Sequence, residues 1–110
     1  MAKEHSPNKT YHCIAKQYPD VIDAVPNLGS TLRSAGPLDK KSSHLIQLAA
    51  AAAVQSEGSV HSHTRRAKEA GATSEEIYHA VLLLISTIGF PKAMAAISWC
   101  RDILEGEGGE

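Results

Sequence analysis

The run LIQLAAAAAV at residues 45–54 constrains the fold of this chain more than any other segment. Alanine and leucine are strong helix formers, and five consecutive alanines add almost no side-chain bulk. A helix that is apolar nearly all round belongs in the middle of a packed structure, where small side chains let neighbouring helices come close. The run is only about half the ~20 residues needed to cross a bilayer, and Gln47 interrupts it, so it reads as a buried helix.

The flanking signals are also helical. Asp39 is placed to cap a helix over 40–55 by accepting first-turn N–H groups. A helix over 58–70 stops at Gly71. Thr73-Ser74-Glu75-Glu76 spells a capping box for a helix over 74–88, whose apolar face is Ile77, Val81, Leu84, Ile85 and Ile88. Gly89-Phe90-Pro91 breaks the chain before a last helix over 91–104, with Met94, Ile97 and Ile103 on its apolar side and Trp99 and Cys100 nearby. Upstream, Ser6-Pro7 starts a short helix. Pro19 and Pro26 are expected to cut the next segment into short helical pieces, with Val21, Ile22, Val25, Leu28 and Leu32 as their apolar stripe. No segment sustains period-two alternation. The prediction is an all-α fold of five to six helices in a single domain over 1–110, with flexible ends at 1–8 and 105–110.

Composition excludes several functions. Eleven Lys+Arg against twelve Asp+Glu give a formal charge of -1, so there is no electrostatic footprint for nucleic acid or an anionic membrane. The start, MAKEHSPNKT, has no apolar signal core, which points to the cytoplasm. Cys13 and Cys100 make no CxxC and read as two buried thiols rather than a disulfide or zinc knuckle. The apolar faces exceed what a small domain hides, so a homo-oligomer is expected.

The segment SEGSVHSH, residues 56–63, gathers the chemistry. On a helix, Ser59 and His63 share a face and Ser56 lies two turns from His63. His61 sits about 200° around from His63 at 3.6 residues per turn, so the two do not serve one pocket. A Ser-His pair suggests a hydrolase, but no nucleophile-elbow pattern surrounds Ser59 and no third triad member is identifiable.

From about Leu38 to Leu104 the chain resembles the carboxymuconolactone decarboxylase and alkylhydroperoxidase D-like family. The residues that carry the resemblance are GPLDKK, the Ala-rich helix, HTRRAKEAGATSEEI and GFPKAMAAISW. The resemblance implies an all-α fold that assembles as homotrimers or homohexamers. The family's peroxidase branch has a Cys-x-x-Cys-x-x-x-His element with a glutamate twelve residues before it. His63 falls at that histidine, Ser56 and Ser59 at the two cysteines, and His44 at the glutamate. Peroxide reduction needs a thiolate and a resolving thiol, which serines do not supply, so thiol peroxidase activity is predicted absent. Family geometry also brings His44 to the Ser59/His63 face.

Several readings follow. His44, Ser59 and His63 can be hydrogen-bonding fillers in a non-catalytic oligomeric binding protein. They can instead perform lactone-decarboxylase-type proton transfer without a cofactor. His63 would then be base or acid, His44 its partner or a carboxylate binder, and Ser59 an orienting hydrogen bond, with Ser56 lining the pocket. Arg33 or Arg65 could hold a substrate carboxylate. Lastly, His44 and His63 can be two ligands of a divalent metal, completed by Glu57, His61 or a histidine of another subunit. The sequence favours a lyase acting on a small organic acid or lactone over a peroxidase, and leaves open whether the protein is an enzyme.

Overall fold

A computed structural model describes residues 7–107 of the chain, and every described element is helical. The flexible ends expected at 1–8 and 105–110 fall partly outside these residues, as does Ser6. The helices are α1 (Pro7–Gln17), α2 (Pro19–Ser34), α3 (Lys40–Ala53), α4 (Glu57–Glu69), α5 (Ser74–Leu82), the short α6 (Ile85–Ile88) and α7 (Phe90–Arg101). A π-helical segment, Asp102–Glu107, follows α7 and includes Glu105 and Gly106. The chain divides into two units, one ending at Pro37 and one starting at Leu38.

In the first unit α1 packs on α2. Helix α2 runs unbroken through Pro26, contrary to the expectation of short pieces. Proline removes one i→i−4 bond, and on an exposed helix water can satisfy the carbonyl left over. No residue of α2 is buried, and Val21, Val25, Leu28 and Leu32 all remain exposed along one stripe. Cys13 on α1 is exposed, which corrects the reading of two buried thiols.

The second unit is a bundle built on α3. Leu48, Ala51 and Ala52 of α3 meet Val60 and Ala67 of α4, Ile77 and Val81 of α5, and Ala96 and Cys100 of α7 in one core. The Ala-rich helix is not enclosed on all sides. Ile46, Ala50 and Ala53 are exposed, because α4, α5 and α7 cover only part of its circumference. On α7 the buried line is Ala93, Ala96 and Cys100, with Met94 and Ile97 only half-buried at its flank. Phe90 is exposed, and Trp99 packs against the core from its edge.

The caps form as the sequence indicates. The Asp39 carboxylate accepts from the Ser42 N–H at 2.7 Å. Thr73 and Glu76 make a reciprocal capping box. Gly71 follows α4 with φ 102°, a left-handed conformation that glycine adopts without strain. The helix expected over 74–88 is interrupted at Leu83-Leu84. There the bonds Leu84 N–H to Val81 and Thr87 N–H to Leu84 tighten the chain to i→i−3 spacing. Gln55, in the α3–α4 turn, has φ 57°, and its side-chain amide donates to the Ala52 and Lys92 carbonyls.

Two polar ties hold the periphery. Lys41 of α3 donates to both carboxylate oxygens of Glu76 on α5, at 3.1 and 3.3 Å. The Tyr78 hydroxyl donates to Glu105 at 2.7 Å, and Arg101 donates to the other oxygen of that carboxylate at 3.0 and 3.1 Å. Burial, then the Glu105 carboxylate, pushes the Tyr78 phenol up to about 12. The Thr73 N–H, then Lys41, holds the Glu76 carboxyl below its ordinary value.

Two stability outcomes follow. Replacing Ala96 with Leu forces side-chain bulk into the fully buried face of α7 and costs about 1–3 kcal/mol in urea unfolding. Glu76 is depressed in the folded state, so its contribution is present above the unfolded carboxyl pKa and is lost as pH falls through the folded one. Glu76→Ala is therefore destabilising at pH 7, and chemical denaturation along a pH series should show that deficit shrinking below about pH 4.

Candidate functional site

Helices α3 and α4 form a hairpin through the short Val54–Ser56 turn, and this hairpin positions the central pair of the site. His44 lies in the second turn of α3 and is 2% exposed. His63 lies in the middle of α4 and is half-buried. Nineteen residues apart in sequence, their Nδ1 atoms are 3.5 Å apart, with ring centroids at 5.7 Å and planes tilted by 41°. The small residues of the α3–α4 seam allow this approach, because larger ones would hold the backbones apart.

An Nδ1-to-Nδ1 contact has a definite protonation consequence. One ring must carry its proton on Nδ1 and donate it, while the other presents a bare Nδ1 as acceptor. Which ring donates depends on the tautomer.

The two serines enter the site differently. Ser56 is the N-cap residue of α4 and is half-buried, but its side chain makes no capping hydrogen bond. Ser59 is exposed in the first turn of α4, one turn before His63. Of the arginines considered as substrate holders, Arg65 is exposed on α4, whereas Arg33 belongs to the first unit.

His61 points elsewhere, as the helical angle requires. Its Nε2 is 3.0 Å from an Asp102 carboxylate oxygen and 4.0 Å from one of Glu57. The sequence offered Glu57 and His61 as ligands to complete the His44/His63 set; the structure groups them with Asp102 instead. Glu57 and His61 were legible as an i, i+4 pair on one helix face. Asp102, 41 residues beyond His61, carried no sequence signal.

Cys100 lies inside the core, where the Thr64 hydroxyl donates to its sulfur at 3.4 Å. Burial pushes the thiol above its ordinary pKa. A second apolar surface lies between α3 and α5, lined by Leu38, Leu45, Ile46, Ala49 and Leu83, with His79 and Glu76 at its edge. His79 is exposed there.

A helical bundle with a facing histidine pair on its α3–α4 hairpin is the setting in which the family match falls. The chain belongs to the carboxymuconolactone decarboxylase family, which it matches over residues 19–102. The match begins at the first residue of α2, earlier than the motifs from Leu38 onward. An uncharacterized protein of Methanocaldococcus jannaschii is 32% identical over 100 residues, covering 91% of this chain and 94% of that protein. No solved structure shows a significant match.

The contact geometry makes a direct prediction. Long-range ¹H–¹⁵N NMR at neutral pH should show one of His44 and His63 protonated on Nδ1, the less common tautomer of a free histidine side chain. His63→Ala should change the tautomer or environment of His44. Two Nε2-protonated rings in the wild type would contradict the contact.

Proposed function

We propose that this protein is a cofactor-free acid–base catalyst of the lactone decarboxylase type, acting on a small carboxylated lactone or related organic acid. The observation that carries this reading is the contact of a buried imidazole, His44, with a half-buried one, His63. It is supported by the family to which the chain belongs. When a carboxylate leaves as CO2 from a carbon conjugated to a lactone carbonyl, its electron pair passes toward the carbonyl oxygen. A proton must then be delivered to carbon. Imidazole exchanges protons near neutral pH and suits that step. His63 delivers the proton and recovers one from water after product leaves. His44 fixes the His63 tautomer or binds the substrate carboxylate. Ser59 orients the substrate, and Ser56 contributes a hydroxyl at the helix start.

Thiol peroxidase chemistry is not part of this proposal. Ser56 and Ser59 stand where that chemistry needs cysteines, and Cys100 is held as a buried thiol rather than a thiolate. The unbridged Cys13 and Cys100 fit a reducing compartment, which favours the cytoplasm. Among the described residues, no helix is long and apolar enough to cross a membrane. Exposed Val21, Val25, Leu28 and Leu32, together with Ile46 and Leu83, favour assembly into a homotrimer or homohexamer.

One distance favours a second reading. Two nitrogens bound to a tetrahedral ion at about 2.0–2.1 Å are about 3.4 Å apart. The Nδ1 atoms of His44 and His63 are separated by 3.5 Å. The pair can therefore supply two ligands to a divalent metal, with water or another subunit completing the set.

Turnover of carboxymuconolactone distinguishes these readings. Acid–base catalysis predicts activity that survives chelation and the Cys13→Ser/Cys100→Ser double change. It should fall roughly 10²–10⁴-fold in His63→Ala with the assembly unchanged by light scattering. Activity lost on chelation and restored by zinc would select the metal reading. Binding without turnover, indifferent to His63→Ala, would identify a non-catalytic binding protein and overturn the proposal.

A further inference from the structure

Helix α4 carries a second cluster, on the side away from His63. Glu57 and His61, one turn apart, face Asp102, the first residue of the π-helical segment. The His61 Nε2 and one carboxylate oxygen each from Glu57 and Asp102 all lie within 4.8 Å of one another. The imidazole is half-buried, with side-chain exposure of 23%, while the two carboxylates stand open to solvent at 58% and 56%. The adjacent Arg101 is engaged by Glu105. Two carboxylates thus converge on the imidazole nitrogen.

We propose that Glu57, His61 and Asp102 form a binding site for a divalent first-row transition ion such as zinc, separate from the His44/His63 pair. One imidazole nitrogen and two carboxylate oxygens form a donor set suited to such ions. Calcium and magnesium prefer all-oxygen surroundings. The separation of 3.0 Å between the His61 Nε2 and the Asp102 oxygen is close to that of neighbouring ligands on an octahedral ion. The longer reach to Glu57 closes by rotation of an exposed side chain. Solvent fills the ion's outward positions. Two ligands come from the first turns of α4 and the third from the junction of α7 with the π-helical segment. Bound metal therefore clips the C-terminal end of the bundle to the helix that carries His63.

The test uses chelator-treated full-length protein titrated with zinc by calorimetry, with thermal unfolding as a second readout. The wild type should bind one zinc per chain and unfold at a higher temperature when loaded. His61→Ala and Asp102→Asn should weaken binding at least tenfold and abolish the thermal shift. Glu57→Gln, an exposed and conservative change, should weaken binding without affecting the fold of the apoprotein. The His44→Ala/His63→Ala variant should bind as the wild type does. Failure of the wild type to bind zinc would overturn the proposal. So would binding that survives His61→Ala and is lost in His44→Ala/His63→Ala, which would place the metal at the other pair. Because proton-transfer activity is measured separately, failure here leaves the proposed reaction untouched.

Discussion

The close seam between α3 and α4 is the contact on which the rest of the second unit depends. Leu48, Ala52, Val60 and Ala67 are all fully buried there or in the core it adjoins, and two of the four are alanines. Small residues contribute little transfer free energy individually, at about 25 cal/mol per Å² of apolar surface. Their value is geometric, since they let two helices approach until longer side chains further along the seam meet. His44 and His63 are such side chains. The core therefore fixes the histidine pair, and a polar ring as deeply buried as His44 is tolerable only with a hydrogen-bonding partner across the seam.

Much of this was legible in the sequence because it depended on local chemistry. The Asp39 cap, the Thr73/Glu76 capping box and the left-handed Gly71 are each written within a few residues. The proximity of His44 and His63 was legible for another reason. A short turn between two helices makes residues on either side of it into neighbours, and the family pattern supplied the register. What local reasoning could not supply were competitions settled by packing. Pro26 was expected to end a helix, yet its one lost bond does not outweigh the bonds on either side. The apolar side of the last helix was assigned to Met94, Ile97 and Ile103, of which only Ile103 is buried. The smaller Ala93 and Ala96, with Cys100, take the buried line of α7.

The Ala-rich helix shows how far composition can be pressed. Near-uniform apolar character predicted enclosure, but a bundle of three packed neighbours leaves one side of α3 open at Ile46, Ala50 and Ala53. The prediction of surplus apolar surface and the prediction of a buried helix have the same origin.

Helix α4 is polar by composition, yet it contributes Val60, Thr64 and Ala67 to the interior. Its serines, histidines and glutamate are accommodated because they divide between directions set by the helical repeat. His63 turns toward α3 and His44, whereas His61, about 200° around, turns toward Asp102 with Glu57 beside it. The core residues keep α4 from rotating about its axis, so neither histidine can move into the other's surroundings without exposing Val60 or Ala67. A segment that looks like one dense cluster in sequence is therefore two environments in space. The first sets the buried His44 imidazole against the half-buried His63 ring across the α3–α4 seam. The second is a half-buried imidazole beside two exposed carboxylates.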